Sequence, residues 1–217
     1  ALSSAASDVY KRQICAHFAN VVIVLNVNGL IDLSWVKKYA SIKSLLFIGI
    51  PGEEGASALA GILTGEINPS GKLAVTIAEH YEDYPSADHF SWDKEHLENI
   101  LDYESYGLSS EENGSTGFTK SPVTVYWEDI YTGYRYFDTF GKQVLYPFGY
   151  GLSYTAFAIS DALVKKQNGG ILVTADVKNI GEMSGKEVIQ IYLSKVYPAE
   201  GVERPYQELK GFEKTSD

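Results

Sequence analysis

The chain has 217 residues, 45% hydrophobic and 21% charged, with a formal net charge of −10. That length and balance suffice for one or two globular cores and exclude a disordered or fibrous chain. The acidic excess disfavours nucleic acid and anionic membrane as partners, no apolar run reaches the roughly 18 residues of a membrane span, and a single cysteine, Cys15, leaves no internal disulfide to form.

Residues 1–13, ALSSAASDVYKRQ, are small and polar, and the run DVYKRQ looks like a translated sequencing-adapter remnant, so this stretch is expected to be a non-native leader. No signal-peptide pattern precedes the first apolar segment, which tilts the expected setting towards the cytoplasm. Residues 14–19 read as the last turn of a helix, followed by the unbroken apolar strand Val21 to Val27 of a sheet covered on both faces. Ile31 to Tyr39 predicts a short helix with Asp32 and Ser34 near its start. A second buried strand spans Ser44 to Ile50 and runs into Pro51-Gly52-Glu53-Glu54-Gly55, after which Ala56 to Leu63 predicts a small-residue helix. Asn68-Pro69-Ser70-Gly71 makes a turn, and Leu73 to Ile77 predicts a third short strand. The resulting β-α-β-α-β order implies a parallel sheet with right-handed crossovers.

Residues 80–122 are polar, acidic and weakly periodic, with SSEENGSTG at 109–117 as the expected flexible loop. The run Val125 to Thr155, VYWEDIYTGYRYFDTFGKQVLYPFGYGLSYT, is the most idiosyncratic of the chain. Its aromatic and β-branched residues predict an extended strand over 125–137, then turns at Gly141, Pro147, Gly149 and Gly151. Aromatic rings interleaved with acids suit a pyranose, with stacking for its C–H faces and acceptors for its hydroxyls. Trp127, Glu128, Tyr131 and Arg135 are the candidate sugar contacts there. The plainer alternative is a tyrosine-rich strand that glues two domains together. In the last block Ile171, Val173, Ala175 and Val177 alternate with Leu172, Thr174, Asp176 and Lys178, and Ile189, Ile191 and Leu193 repeat the pattern after a Gly181 to Gly185 turn. Such alternation predicts an antiparallel β-sandwich.

Four ordered stretches resemble one family. IYTGYRYFDTF with YPFGYGLSYT, VVIVLNVNGLIDLSWV at 21–36, IPGEEGASALAGILTGEINPSGKLAVTIA at 50–78, and VTADVKNIGEMSGKEVIQIYLS with ERPYQELKGFEK in the tail resemble glycoside hydrolase family 3. The resemblance implies a parallel-sheet α/β sandwich followed by a truncated fibronectin-III-like antiparallel β-sandwich. The implied boundaries are 14–122 for the α/β-sandwich domain with its acidic insertion at 80–122, 123–155 for the signature strand and connector, and 156–217 for the partial fibronectin-III-like domain. A fibronectin-III-like sandwich needs about seven strands and 156–217 supply about three, so a fragment is expected, and the resemblance further implies that the family's (β/α)8 barrel is missing from it. ICAHFANVVIVLNVNGLIDLSWV and TIAEHYEDYPS look like a rearranged subgroup in which the barrel follows these domains.

Ligands of open parallel sheets bind beyond the carboxyl ends of the strands, where Asn26, Asn28, Glu53 and Glu54 collect. Asn28 and Glu53 are the candidate substrate contacts of that edge. Some plant members of the family carry their acid/base glutamate in a Pro-Gly-x-Glu-Gly motif, which the resemblance transfers to Glu54. The alternative is a carboxylate favoured by a helix dipole and its free N–H groups. The family nucleophile is a barrel aspartate, and nothing marks Asp32, Glu128 or Asp129 for that role; an ordinary salt bridge with Arg135 is the alternative reading of Glu128-Asp129. His17, His80, His89 and His96 lack metal-ligand spacing, Gly-x-Ser-x-Gly is absent, and no phosphate-loop or dinucleotide motif occurs. The resemblance implies that the chain is part of a retaining, exo-acting, β-glucosidase-like glycosidase acting on oligosaccharides or β-glycosides, with no cofactor and no metal expected. The chain alone is expected to be inactive. A non-catalytic carbohydrate-binding module and a small-molecule-binding α/β domain of another enzyme class are the alternatives.

Overall fold

The computed structural model describes residues 5–87, 126–195 and 201–216. The expected loop at 109–117, most of the acidic insertion, His89 and His96 lie outside the described residues. Helix α1 (Ala5–His17) leads into strand β1 (Val21–Leu25), and β2 (Ile42–Phe47) is followed by helix α2 (Gly55–Thr64). Helix α1 thus starts within the stretch read as a leader and ends where a helix end was expected. Strands β1 and β2 pair in parallel, from Val22 opposite Ser44 to Leu25 opposite Phe47. The N–H of Ile48 extends the pairing by donating to the Leu25 carbonyl at 3.0 Å.

Three elements depart from the sequence reading. Between β1 and β2 only a 3-10 turn, Val36–Lys38, replaces the expected helix over 31–39. The Asp32 carboxylate accepts the Ser34 N–H at 2.8 Å, and the Asp32 carbonyl accepts the Trp35 indole N–H at 3.0 Å. These local bonds compete with helical ones and leave Leu33 free to insert into the core, where it is 1% exposed.

The third strand is also different. Strand β3 is only Ile77–Ala78 and pairs antiparallel with β4 (Val144–Tyr146), outside the parallel pair. Upstream, Leu73 exchanges two backbone hydrogen bonds with the connector: its N–H donates to the Tyr150 carbonyl, and the Gly149 N–H donates to its carbonyl, both at 2.8 Å. Leu145 and Tyr146 pack on the core of Leu25, Leu33 and Ile77, which brings this segment against 73–78.

The predicted strand over 125–137 is absent. Residues 127–130 form turns, Gly133 adopts a left-handed φ of 55°, and helix α3 (Tyr134–Thr139) follows. Aromatic packing overrides local strand propensity here. Phe137 is 2% exposed, lies edge-on to Tyr84 at 5.7 Å between ring centroids and touches the ring of Tyr136. The Tyr84 hydroxyl in turn accepts the Ala78 N–H and donates to the Thr76 carbonyl, fixing α3 against β3.

Two antiparallel hairpins complete the chain: β5 (Phe157–Gln167) with β6 (Gly170–Asn179), and β7 (Val188–Ser194) with β8 (Gln207–Lys214). The first turns through Asn168-Gly169, where Gly169 takes φ 76°, a value that favours glycine. The expected alternation is present over 172–178, where Val173, Ala175 and Val177 are half-buried and Leu172, Thr174, Asp176 and Lys178 exposed, but Ile171 is exposed and the burial of β7 does not alternate.

The connector at 147–155 joins the two halves. Asn68 Oδ1 accepts from Ser153 Oγ at 2.9 Å and from the Tyr154 N–H at 2.8 Å, while its amide donates to the Ser184 carbonyl at 3.0 Å. Lys72 Nζ pairs with Glu187 Oε1 at 2.7 Å and donates to the Gly151 carbonyl at 2.8 Å. Gly151 and Gly185 leave no room for a Cβ against the Gly71 carbonyl and the Asn68 amide. From the other side, Tyr134 Oη accepts the Leu209 N–H, and Asp138 accepts from the Gln207 amide. The gluing role anticipated for the tyrosine-rich run is thus realised through a helix and a connector. Asn68→Ala deletes the three Asn68 bonds and should cost about 1–3 kcal/mol, read as a lower urea midpoint; a wild-type midpoint would contradict this account of the junction.

Candidate active-site edge

The carboxyl ends of β1 and β2 lie side by side, because Ile48 continues the ladder onto Leu25. Asn26 and Asn28 leave from one strand end and the loop 48–54 from the other. Two glycines shape that loop. Gly49 takes φ 61°, and Gly55 sits so close to the Pro51 ring that a Cβ would collide with it. The Gly55 N–H closes a turn onto the Gly52 carbonyl at 3.0 Å. Glu54 then becomes the N-cap residue of α2, where its carbonyl accepts the Ala58 N–H at 2.9 Å.

The Glu54 side chain makes no capping hydrogen bond and, like those of Glu53 and Asn28, is exposed. The alternative of a carboxylate favoured by the helix end is met in part: no hydrogen bond ties it to the free N–H groups of the first turn, while its position at the N-cap still favours an acid through the helix dipole. A capping role would have drawn the carboxylate back onto the backbone. Instead it is available to a ligand arriving at the strand ends. Asp32, an acid on the segment that follows β1, is differently placed. Its hydrogen bonds from Ser34 hold its carboxyl below the ordinary value of 3.8, with His80 and Lys38 adding attraction. A general acid at neutral pH needs a raised value, so Asp32 does not fit that task.

The other sequence-predicted contacts are carried on different elements. Trp127, 64% exposed, and Glu128 occupy the turn before α3. Tyr131 Oη donates to Glu203 at 2.7 Å, and its ring meets Phe140 edge-on at 5.0 Å. The Arg135 guanidinium lies 5.9 Å from the Tyr134 ring centroid. It also helps Arg204 and, chiefly, the hydrogen-bonded Lys210 hold the Glu208 carboxyl below its usual range. Tyr131 and Arg135 therefore face the segment 203–210. No ion pair joins Glu128 to Arg135: Glu128 Oε2 and Arg135 Nε are both buried without a hydrogen-bond partner. Asn28, Glu53 and Glu54 thus lie on the segments that leave the carboxyl ends of β1 and β2, while Glu128, Tyr131 and Arg135 lie just before and within α3. Among the described residues, no group of three or more His, Cys, Asp or Glu side chains could hold a metal ion, and no helix is long and apolar enough to cross a membrane.

Residues 4–154 match the C-terminal domain of glycosyl hydrolase family 3. The chain belongs to this family. It is 40% identical over 205 residues to a beta-glucosidase of Ruminococcus albus, covering 94% of this chain and 18% of that protein. It is 35% identical over 206 residues to an exo-alpha-(1->6)-L-arabinopyranosidase of Bifidobacterium longum, covering 94% of this chain and 23% of that protein. Among solved structures, beta-glucosidase 3B of Thermotoga neapolitana in complex with glucose superposes with a TM-score of 0.76 at 34% identity, over 99% of this chain and 27% of that one. The chain accordingly spans about a fifth to a quarter of the length of these relatives. In family 3 terms, the described residues carry the α/β region and two antiparallel hairpins.

Sequence reasoning missed Asn68, Lys72 and Tyr154, which bond the 68–72 turn, the connector and α2 together, and Tyr84, which bonds β3 and packs on α3. Asn68 read only as a turn former in Asn-Pro-Ser-Gly, because its partners lie 85 or more positions away in the chain. The lowered Asp32 carboxyl makes a pH prediction. Because the folded value is below the unfolded 3.8, its stabilising contribution is complete above about pH 4 and is lost as pH falls through the folded value. Carboxyl NMR titration should place the Asp32 midpoint below 3.8; a midpoint at or above it would show that the Ser34 bonds do not persist in solution.

Proposed function

We propose that this chain is part of a retaining, exo-acting β-glycosidase of β-glucosidase type, and that Glu54 is its general acid/base. The observation that carries the reading is the uncapped, exposed Glu54 carboxylate at the carboxyl edge of a parallel strand pair, within a Pro-Gly-x-Glu-Gly frame. The names of the relatives support it, being a beta-glucosidase, an exo-arabinopyranosidase and a glucose complex. A β-glucoside and an α-L-arabinopyranoside present the same equatorial anomeric bond, so one arrangement of carboxyl groups serves both.

The chemistry needs two carboxyl groups. In the first step Glu54, protonated, donates its proton to the glycosidic oxygen while a barrel aspartate elsewhere in the same polypeptide attacks the anomeric carbon. The aglycone then leaves. In the second, the Glu54 carboxylate removes a proton from water as it displaces the aspartate, with net retention. This chain would close the substrate pocket over the barrel, with Asn28 and Glu53 beside Glu54 offering hydroxyl partners. The second carboxylate is not assigned within it, so the isolated chain would be folded and inactive.

A second reading has its own observation. Tyr126 and Trp127 are 75% and 64% exposed, and such a pair can bind glycan by stacking without turnover. The experiment that separates these readings has two parts. The purified chain should melt cooperatively yet release nothing from a panel of chromogenic β-glycosides; turnover would overturn the two-domain site. In the intact enzyme, Glu54→Gln should slow turnover by about 10²- to 10⁴-fold with little change in substrate binding, and azide should restore rate. An unchanged rate would move the acid/base role to another loop.

A further inference from the structure

We infer that Tyr154, with Asn68 behind it, is a positioning residue for Glu54, acting through helix α2. The inference rests on the reading of Glu54 as acid/base. It starts from how loosely α2 is held. Ala56, Ser57, Ala58 and Ala60 are exposed, and Gly61 is the buried residue of the helix. At its amino end α2 depends on the Pro51–Gly55 turn.

Its restraints sit in the last turn. The Tyr154 hydroxyl donates to the Ile62 carbonyl at 2.9 Å. The Ile67 N–H donates to the Gly61 carbonyl at 2.9 Å, with Ile67 packed where Gly61 leaves no room for a Cβ. Tyr154 does not owe its place to burial, being 50% exposed. Its backbone N–H donates to Asn68 Oδ1 at 2.8 Å, and the Asn68 amide reaches across to the Ser184 carbonyl at 3.0 Å. One continuous set of hydrogen bonds therefore runs from the hairpin half, through Asn68 and Tyr154, to the carboxyl end of the helix whose amino end carries Glu54.

Ten residues of α-helix make a rod of about 15 Å. A tilt of about 4° at the tethered end displaces the far end by about 1 Å, and errors of that size reduce rates by up to about a hundredfold. Tyr154 bonds to the carboxyl end of α2, the end away from Glu54. Its contribution is to orientation, and it falls on the one step that requires proton donation.

That selectivity gives the test. In the intact enzyme containing this chain, kcat/KM is measured for phenyl β-glucoside, whose leaving group needs protonation, and for 2,4-dinitrophenyl β-glucoside, whose leaving group does not. Tyr154→Phe keeps the ring and removes the hydrogen bond. It should lower kcat/KM about tenfold on the phenyl substrate and leave the dinitrophenyl substrate within about twofold, at an unchanged melting temperature. Asn68→Ala, which loosens Tyr154 itself, should show the same asymmetry. Equal losses on both substrates, or none, would overturn the inference and reduce the clamp to a stabilising contact. Glu54→Gln is measured alongside: if it also treats the two substrates alike, the acid/base assignment fails and the positioning role falls with it, whereas asymmetry in Glu54→Gln without asymmetry in Tyr154→Phe overturns the positioning role alone.

Discussion

The structure depends on one turn, residues 68–72, bonding simultaneously to the connector and to the hairpins. Lys72 and Glu187 are only 16% and 19% exposed at their side chains, so bringing them together strips both of most of their water. The ion pair is tolerable because Lys72 also donates to the Gly151 carbonyl, and losing either partner would strand a poorly hydrated charge. Asn68, one turn earlier, has its amide nitrogen and oxygen engaged in three bonds. Close approach of these backbone segments follows, and it explains the glycines at 151 and 185, where a Cβ would meet the Gly71 carbonyl and the Asn68 amide. This is a constraint of packing and hydrogen bonding, met by polar residues rather than by a continuous apolar core. The core itself is small, centred on Leu25, Leu33 and Ile77.

Much of this architecture was legible because its signals are local. The apolar runs read as strands at 21–27 and 44–50 form strands at 21–25 and 42–47, but Val22, Val24 and Phe47 are exposed, so the pair is not covered on both faces as expected. Ala56 to Leu63, framed by glycines, forms α2 with Gly65 at φ 81° as its left-handed stop. Alternation over 171–177 places alternate side chains on opposite faces, as period two demands. What was not legible depended on distant partners. Tyr134, Tyr136 and Phe137 favour a strand taken alone, yet they form a helix in which Tyr134 packs on the rings of Phe148 and Tyr192 and Phe137 on that of Tyr84. Leu73 looked like a strand of the parallel sheet because the backbone of Gly149 and Tyr150, 76 or more positions downstream, was invisible as its partner.

The candidate site divides in the same way. Pro51-Gly52-Glu53-Glu54-Gly55 was readable as a turn into a helix, and the crowding of Gly55 by Pro51 explains why that turn ends in glycine. The freedom of the Glu54 carboxylate was not readable, since composition at a helix start favours a capped acid as much as a free one. Tyr131 and Arg135 were grouped with the sugar contacts by their chemistry. In three dimensions they meet residues of the 203–210 segment, so their chemistry serves the junction first. The segment that looked most like a binding site is, in large part, the device that holds the fold together. A shorter and plainer loop offers the carboxylate.

That assignment turns on a distance. A crystal structure of the intact enzyme with a trapped glycosyl-aspartate or bound glucose should show a Glu54 oxygen within about 3 Å of the site of the glycosidic oxygen. Its carboxyl group should lie about 5–5.5 Å from the nucleophilic aspartate, the spacing of a retaining pair. A Glu54 carboxyl lying beyond about 10 Å, with another acid at the retaining distance, would contradict the account.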